Sequence, residues 1–326
     1  LQKPAHLDKV GRFVYDYSMI ISASRRTDIP AFYSEWFMNR IREGYCTVPN
    51  PFNRNQVSKV ELDPQKVDVI VFWTRNPRPL FRYLAELDQR GYRYYFQYTV
   101  INNPRAIDPK SPGLNASIET FRELADCIGP QRVIWRYDPI VLSEATPPQF
   151  HSIVHAQIAE ALAGATRRNV VSIVDIYKKA QKRLRDLRQQ GVVVEQISQS
   201  AMPQAVGAML EQLAATAATY GLEIFSCAED LDLRPYGIQP GKCIDDEYIH
   251  RTFGLDLRLK KDPGQRDACG CVASKDIGMY DTCLYGCQYC YATSSFEAAK
   301  RHYERHTIGA SSLIEQKSPA TVHAER

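Results

Sequence analysis

Six short apolar runs, rich in β-branched and aromatic residues, recur along this chain and alternate with amphipathic segments that each stop at a glycine. The runs are 19–24 (MIISAS), 67–73 (VDVIVFW), 93–100 (RYYFQYTV), 132–136 (RVIWR), 170–175 (VVSIVD) and 222–227 (LEIFSC), with a shorter candidate at 277–282 (IGMYDT). They are continuous, not alternating, which is the pattern of strands covered on both faces. The segments between them, 31–43, 79–90, 116–128, 148–163, 178–190 and 203–220, end at Gly44, Gly91, Gly129, Gly164, Gly191 and Gly221. Glycine supplies the left-handed conformation favoured just past a helix C-terminus. Pro147 and Pro148 open one segment, Asn115 or Ser117 can cap another, and a last helix is expected over 294–305.

Strand–helix repeats of this kind imply a parallel sheet with right-handed crossovers. The expected fold class is α/β, as a full or partial (β/α) barrel, with a doubly wound open sheet as the alternative. One domain over 19–306 is the simpler organisation. It holds a cysteine-rich region at 228–292, whose first part (228–268) is loop-rich. Residues 1–18 read as a loose extension, 307–326 as a frayed tail, and Met19 as a candidate start.

Composition adds mainly exclusions. With 326 residues, 44% hydrophobic and 24% charged, the chain is expected to bury a core without disulfides. No run of about 18 apolar residues exists to span a membrane. The first twenty residues lack the features of a signal peptide, so the expected location is cytoplasmic and no membrane partner is expected. A net charge of +4 is too weak by itself to argue for nucleic acid.

The nine cysteines are unevenly placed. Cys46 and Cys127 stand apart and are expected to pack as small apolar residues. The other seven lie between Cys227 and Cys290. An odd total in a large chain expected in a reducing compartment points to metal or redox chemistry. Cys283, Cys287 and Cys290 are spaced C-x3-C-x2-C, with Tyr289 before the last. Three thiolates so close can hold three irons of a 4Fe–4S cube and leave the fourth iron open. Zinc is the alternative, although its structural sites want four ligands. Cys227, Cys243, Cys269 and Cys271 would complete a second site, a 4Fe–4S cluster ahead of zinc, with free thiols as the plain reading.

Polar residues collect where the runs end: Ser24, Arg25, Arg26, Thr27 and Asp28; Thr74, Arg75 and Asn76; Thr99 through Asn102; Arg136 and Asp138; Asp175 and Tyr177; Glu229 and Asp230 beside Cys227. In parallel folds the site lies at the C-terminal strand ends.

The cysteine spacing with Tyr289 resembles the signature of the radical S-adenosylmethionine (SAM) superfamily. The resemblance implies a 4Fe–4S cluster on Cys283, Cys287 and Cys290, with SAM chelating the open iron. It further implies one-electron cleavage of SAM to a 5′-deoxyadenosyl radical, Tyr289 against the adenine, and a partial (β/α)6 barrel. The chain departs from that pattern in two ways. The motif follows the last run instead of the first, which would put 277–282 in the first place of the ring and 19–24 next to it. No Gly-Gly-Glu follows 19–24, leaving Ser24, Arg25, Thr27 and Asp28, with Thr74, Arg75 and Asn76, as substitute cofactor-binding candidates. The stretches 22–37, 67–77, 135–140 and 276–292 are similar to those of a narrower bacterial family, DUF1848, for which no reaction is implied. The segments Thr74-Arg75-Asn76-Pro77 and Arg136-Tyr137-Asp138-Pro139-Ile140 are also similar to parts of spore-photoproduct-lyase-like proteins.

Arg136 and Asp138 are the catalytic candidates, recognising substrate or cofactor, against a structural ion pair. Arg25 and Arg26 can clamp an anion. Tyr94, Tyr95, Tyr98, Trp73 and Trp135 are expected mostly in the core. The basic run 178–185 reads as a solvated face with a possible phosphate contact. His151, His155, His302 and His306 are expected at the surface. Two functions follow as expectations. One is a radical SAM enzyme, served by a reductant such as flavodoxin or ferredoxin, with nucleic acid or a nucleotide as a possible substrate. The other is a nucleic-acid-binding or sensing protein with a structural zinc or iron–sulfur module.

Overall fold

The computed structural model describes residues 5–7, 13–15, 19–53, 55–257 and 259–315. Its strands are β1 (Ala5–Leu7), β2 (Phe13–Tyr15), β3 (Ile20–Ala23), β4 (Tyr45–Pro49), β5 (Val57–Glu61), β6 (Val69–Thr74), β7 (Tyr94–Thr99), β8 (Val133–Ile140), β9 (Arg168–Ile173), β10 (Glu223–Cys227), β11 (Gln239–Gly241) and β12 (Lys275–Asp276). The helices are α1 (Ile29–Phe32), α2 (Ser34–Glu43), α3 (Leu84–Gln89), α4 (Leu114–Ile128), α5 (Pro148–Ala161), α6 (Gln181–Gln189), α7 (Gln204–Thr219), α8 (Asp246–Phe253) and α9 (Phe296–Glu304). All six continuous apolar runs form strands, and the segments ending at glycine form helices.

Eight strands make one sheet in the order β11-β10-β9-β8-β7-β6-β3-β12, each pair parallel. Its edge strands β11 and β12 do not pair with each other, so the described sheet is not a closed barrel. Two antiparallel pairs, β1–β2 and β4–β5, stand apart from it.

The alternation of side chains along a strand divides the core in two. Ile21, Ile70, Phe72, Phe96 and Trp135 point to the helix-covered face with Trp36, Phe37, Phe121 and Leu210. Ile20, Val69, Val71, Tyr95, Ile134 and Val170 point the other way. That second face is covered by Tyr248 and Ile249 of α8 together with Cys243, Cys269, Cys271 and Val272. The loop-rich 228–268 stretch therefore contains a covering helix. Burying each of these aliphatic side chains contributes about 1.5–3 kcal/mol, enough to bind an otherwise irregular segment to the sheet.

Several expectations are corrected. The run 277–282 is not a strand: β12 occupies 275–276, and its ladder stops after Ile277 N donates to Ser22 O at 3.0 Å. Gly278 and the left-handed Asp281 then turn the chain away. Residues 308–315 are not frayed: Ala310, Leu313 and Ile314 are buried, and Trp36 Nε1 donates to Ala310 O at 2.9 Å. The rest of the expected tail, and most of the expected extension at 1–18, lies outside the described residues. Cys46 is buried, but Cys127 is exposed. No helix among the described residues is long and apolar enough to cross a membrane.

His151 and His155 are not surface groups. His155 stacks on Trp135 at 4.7 Å and its Nε2 meets Asn169 Oδ1 at 2.9 Å, while His151 Nδ1 meets Tyr137 Oη at 2.9 Å. Burial pushes both imidazoles down to about 4. As pH falls from 6.5 toward 4, the unfolded chain takes up protons that these rings refuse, so their contribution to stability is lost. Asp28 opposes them, because burial pushes its carboxyl up to about 7, and a raised carboxyl loses stability as pH rises through this range. The check is therefore a difference. Between pH 7.5 and 4.5, His155→Gln should lose about 2 kcal/mol less stability than wild type in urea titrations. Equal losses would mean that His155 is not held neutral.

Candidate metal and cofactor site

The site is organised by a pairing between distant parts of the chain. β12 lies parallel to β3, with Lys275 opposite Ile21 and Asp276 opposite Ser22. Asp276 is thereby set against the turn that leaves β3. Its carboxylate accepts from Ser22 Oγ (2.6 Å), Ser24 Oγ (2.8 Å), Arg25 N (2.9 Å), Arg26 Nε (3.1 Å) and Gly278 N (3.0 Å). Gly278 has to be glycine, since a Cβ there would stand 2.0 Å from Ser24 Oγ.

The cysteine loop follows directly. Tyr33 Oη donates to Thr282 O at 2.7 Å, and Gly286 takes φ +76°, a left-handed turn between Cys283 and Cys287. Arg183 of α6 holds the far side of the loop, donating to Gln288 O (3.0 Å), Cys290 O (2.6 Å) and Thr293 O (2.8 Å). Part of the basic run is thus a clamp on the loop, not a solvated face. Lys179 Nζ of the same run lies 3.9 Å from the centre of the Tyr280 ring. Cys287 is buried, and Cys283 and Cys290 pack with it among Ile107, Val141, Val174, Tyr285 and Tyr289. Burial pushes the Cys283 thiol up to about 12 and raises Cys287 strongly; Cys290 adds to both shifts, and Cys283 to that of Cys287. Tyr289 Oη donates to Asp108 Oδ2 at 3.1 Å and accepts from Arg75 Nη2. Arg75 also donates to Ser111 Oγ at 2.8 Å. A cavity of about 310 Å³ opens beside this group, lined by Asn102, Asn103, Arg105, Asp108 and Ser111 among others.

The remaining candidates fall into two groups. Ser24, Arg25, Thr27, Asp28 and Arg75 do come together. Thr27 Oγ1 and Asp108 Oδ1 are buried without hydrogen-bond partners. Asp28 is committed to the fold: one oxygen caps α1 through Ala31 N at 2.9 Å, and the other accepts from Arg75 N at 2.7 Å. Thr74 and Asn76 hold their own turn, Asn76 N donating to Thr74 Oγ1 at 2.9 Å and Asn76 Oδ1 accepting from Arg78 N at 3.2 Å. Arg136 and Asp138 pair with each other, and Ser172 Oγ donates to Asp138. Arg136 Nη1 also reaches Cys243 Sγ at 2.8 Å. Tyr94, Tyr95, Tyr98 and Trp135 are core residues, whereas Trp73 is half-buried beneath the Arg25 guanidinium at 5.3 Å.

A family model described as Domain of unknown function (DUF1848) matches residues 20–292. The chain belongs to this family. The match runs from β3 to just past Cys290, so it takes in the whole parallel sheet and the cysteine loop. No curated protein matches the chain.

In this DUF1848 chain, the residues that hold the site were only partly visible beforehand. Asp276, Asp108 and Arg183 carry no motif of their own. Asp276 directly precedes the expected strand at 277–282, and Asp108 follows the run at 93–100, which are the weak signals available. Among the described residues, no three His, Cys, Asp or Glu side chains stand as a finished metal-binding set. Chemically, Cys283, Cys287 and Cys290 offer three soft donors in an apolar surrounding. The buried orphan oxygens of Thr27 and Asp108 lie on the loops that flank them.

Proposed function

We propose that this protein is a radical SAM enzyme whose sheet corresponds to a partial (β/α)6 barrel. In this reading Cys283, Cys287 and Cys290 hold three irons of a 4Fe–4S cluster, and SAM occupies the fourth. The observation that carries it is the seat of the loop: it leaves an edge strand that neighbours β3, at the strand ends where Arg75 and Asp108 hold Tyr289. Moving the motif to the end of the chain is then no obstacle to this reading, because β12 pairs with β3, the first strand of the main sheet in chain order.

When bound, the cluster supplies one electron to cleave SAM into methionine and a 5′-deoxyadenosyl radical, which abstracts hydrogen from a substrate. The chain supplies position and exclusion of water. Asp276 fixes the turn bearing Ser24, Arg25 and Thr27. Tyr289 presents its ring from a side chain immobilised at its hydroxyl. Asp108 Oδ1 offers a buried acceptor to a hydroxyl or amino group of the bound nucleoside. The raised thiols of Cys283 and Cys287 give up protons on loading, so loading is favoured by higher pH. A nucleic acid or nucleotide substrate is favoured by the short likeness of 74–77 and 136–140 to spore-photoproduct-lyase-like proteins. A flavodoxin or ferredoxin in the cytoplasm fits the electron requirement.

The test is anaerobic reconstitution with iron and sulfide, reduction, and incubation with SAM. The expected result is a brown protein carrying at least four irons per chain that forms 5′-deoxyadenosine. Colourless protein that binds only zinc and leaves SAM intact would falsify the reading and favour a structural module.

A further inference from the structure

The chain's excess of positive charge sits on one short segment. Residues 178–190 hold six basic side chains and one acidic one, a net of +5 against +4 for the whole chain, so the remaining residues carry a net of −1. The segment comprises the turn into α6, α6 itself and its C-cap. Leu184 and Leu187 bury the inner side of the helix, while Lys178, Lys179, Lys182 and Arg185 are exposed. Among the described residues, the one ion pair made by these four is Lys182–Asp186 at 2.9 Å, with the lysine side chain 80% exposed. An exposed pair of that kind is weak and leaves the stripe strongly positive.

The stripe adjoins the cysteine loop. Arg183, on the flank of the same helix, donates to the carbonyls of Gln288, Cys290 and Thr293. Lys179 Nζ is held 3.9 Å from the centre of the Tyr280 ring. Tyr291 follows Cys290 directly and is 40% exposed. Its ring lies 5.3 Å from that of Tyr177, the residue before Lys178, and its hydroxyl donates to Arg25 O at 2.7 Å. An exposed aromatic ring, fixed at its edge, thus stands where the basic stripe meets the loop.

We propose that the exposed face of α6 and Tyr291 dock a single-stranded nucleic acid, with Lys178, Lys179, Lys182 and Arg185 along its phosphates and an unpaired base stacked on Tyr291. This deepens the nucleic-acid reading above and rests on it for the fate of the strand, whereas docking itself needs neither the cluster nor SAM.

Three arguments carry it. The first is charge complementarity, since a stripe that outweighs the rest of the chain is the electrostatic footprint a phosphate backbone requires. The second is the ring beside it. Single strands are held by a basic track interleaved with aromatic faces, and a duplex has no base face free to use one. The third sets the surface apart from a membrane-binding one. An interfacial helix turns an apolar face to the lipid, but the leucines of α6 already face the protein interior. Because Arg183 ties α6 to the loop, a strand lying along the helix passes beside Cys290.

The test uses the purified protein without SAM or reductant and a fluorescein-labelled single strand of about 12 nucleotides, with binding followed by fluorescence anisotropy. Four phosphate contacts predict that log K falls with log salt at a slope of about −3. Lys178→Gln/Lys179→Gln/Lys182→Gln/Arg185→Gln, all at exposed positions, should weaken binding at least tenfold and bring the slope close to zero. Tyr291→Ala should weaken it at least fivefold without changing the slope, and Tyr291→Phe, which keeps the ring, should bind as wild type does. Circular dichroism of each variant checks that the fold is retained. Four outcomes overturn the proposal: no binding at low salt, equal binding by the quadruple variant, tighter binding of the matching duplex, or capture by anionic lipid vesicles in place of the oligonucleotide. Binding without 5′-deoxyadenosine formation in the assay above would remove only the radical SAM reading, and the reverse would remove only this one.

Discussion

Cys287→Ala is expected to abolish 5′-deoxyadenosine formation by the reconstituted, reduced protein, lowering the yield by more than about 100-fold. Losing an outer-shell partner of a metal ligand already costs about 10- to 100-fold, and Cys287 is proposed as a ligand itself. It is the most deeply buried of the three thiols, with Cys283 and Cys290 beside it and Arg75 close enough to lower its shift. Alanine leaves the packing with Tyr285, Tyr289 and Ile107 largely in place, so the fold should survive with a loss of about 1 kcal/mol. Cys46→Ala is the matched control, a buried core cysteine of β4. Product and iron content are measured together by chromatography and metal analysis. Wild-type amounts of product from Cys287→Ala would end the assignment of this loop as the cluster site.

Asp276→Ala is expected to cost the fold about 3–5 kcal/mol, the loss typical of removing one partner from a buried ion pair. The carboxylate accepts from five donors drawn from β3, the turn that follows it and the segment after β12. Alanine strands Arg26, whose side chain is 15% exposed, together with the backbone N–H groups of Arg25 and Gly278. Asp276→Asn keeps part of the acceptor set and should lose about half as much. By contrast, breaking the exposed Lys182–Asp186 pair should cost under about 1 kcal/mol. Urea unfolding of the three variants provides the comparison. If Asp276→Ala falls within 1 kcal/mol of wild type, the carboxylate does not hold the turn.

Much of this was legible in the residues themselves. Strand runs such as 67–73 and 93–100 are apolar throughout because both faces of β6 and β7 are covered. The division of the cysteines into three, four and two was also visible, and the structure places the first two sets in separate clusters. Other elements were not legible. β4 and β5 lie outside the main sheet and carry exposed or polar residues on one side, so no continuous apolar run marks them. The histidines of α5 have the same i, i+4 spacing as surface residues. Only the packing of Trp135 and Tyr137 against that helix shows them to be core. Arg183 lies in a run of basic residues, and nothing local separates it from its solvated neighbours.

The sequence by itself determined the alternation of strands and helices, the polar strand ends and the cysteine spacings, because each depends on residues close together in the chain. The tertiary structure decided which ends meet. Asp276 and Ser22 are 254 positions apart and are joined only because β12 enters the sheet beside β3. The structure likewise brought Arg136 to Cys243, across 107 positions. Contacts of that separation follow from sheet order and register, which side-chain periodicity does not encode.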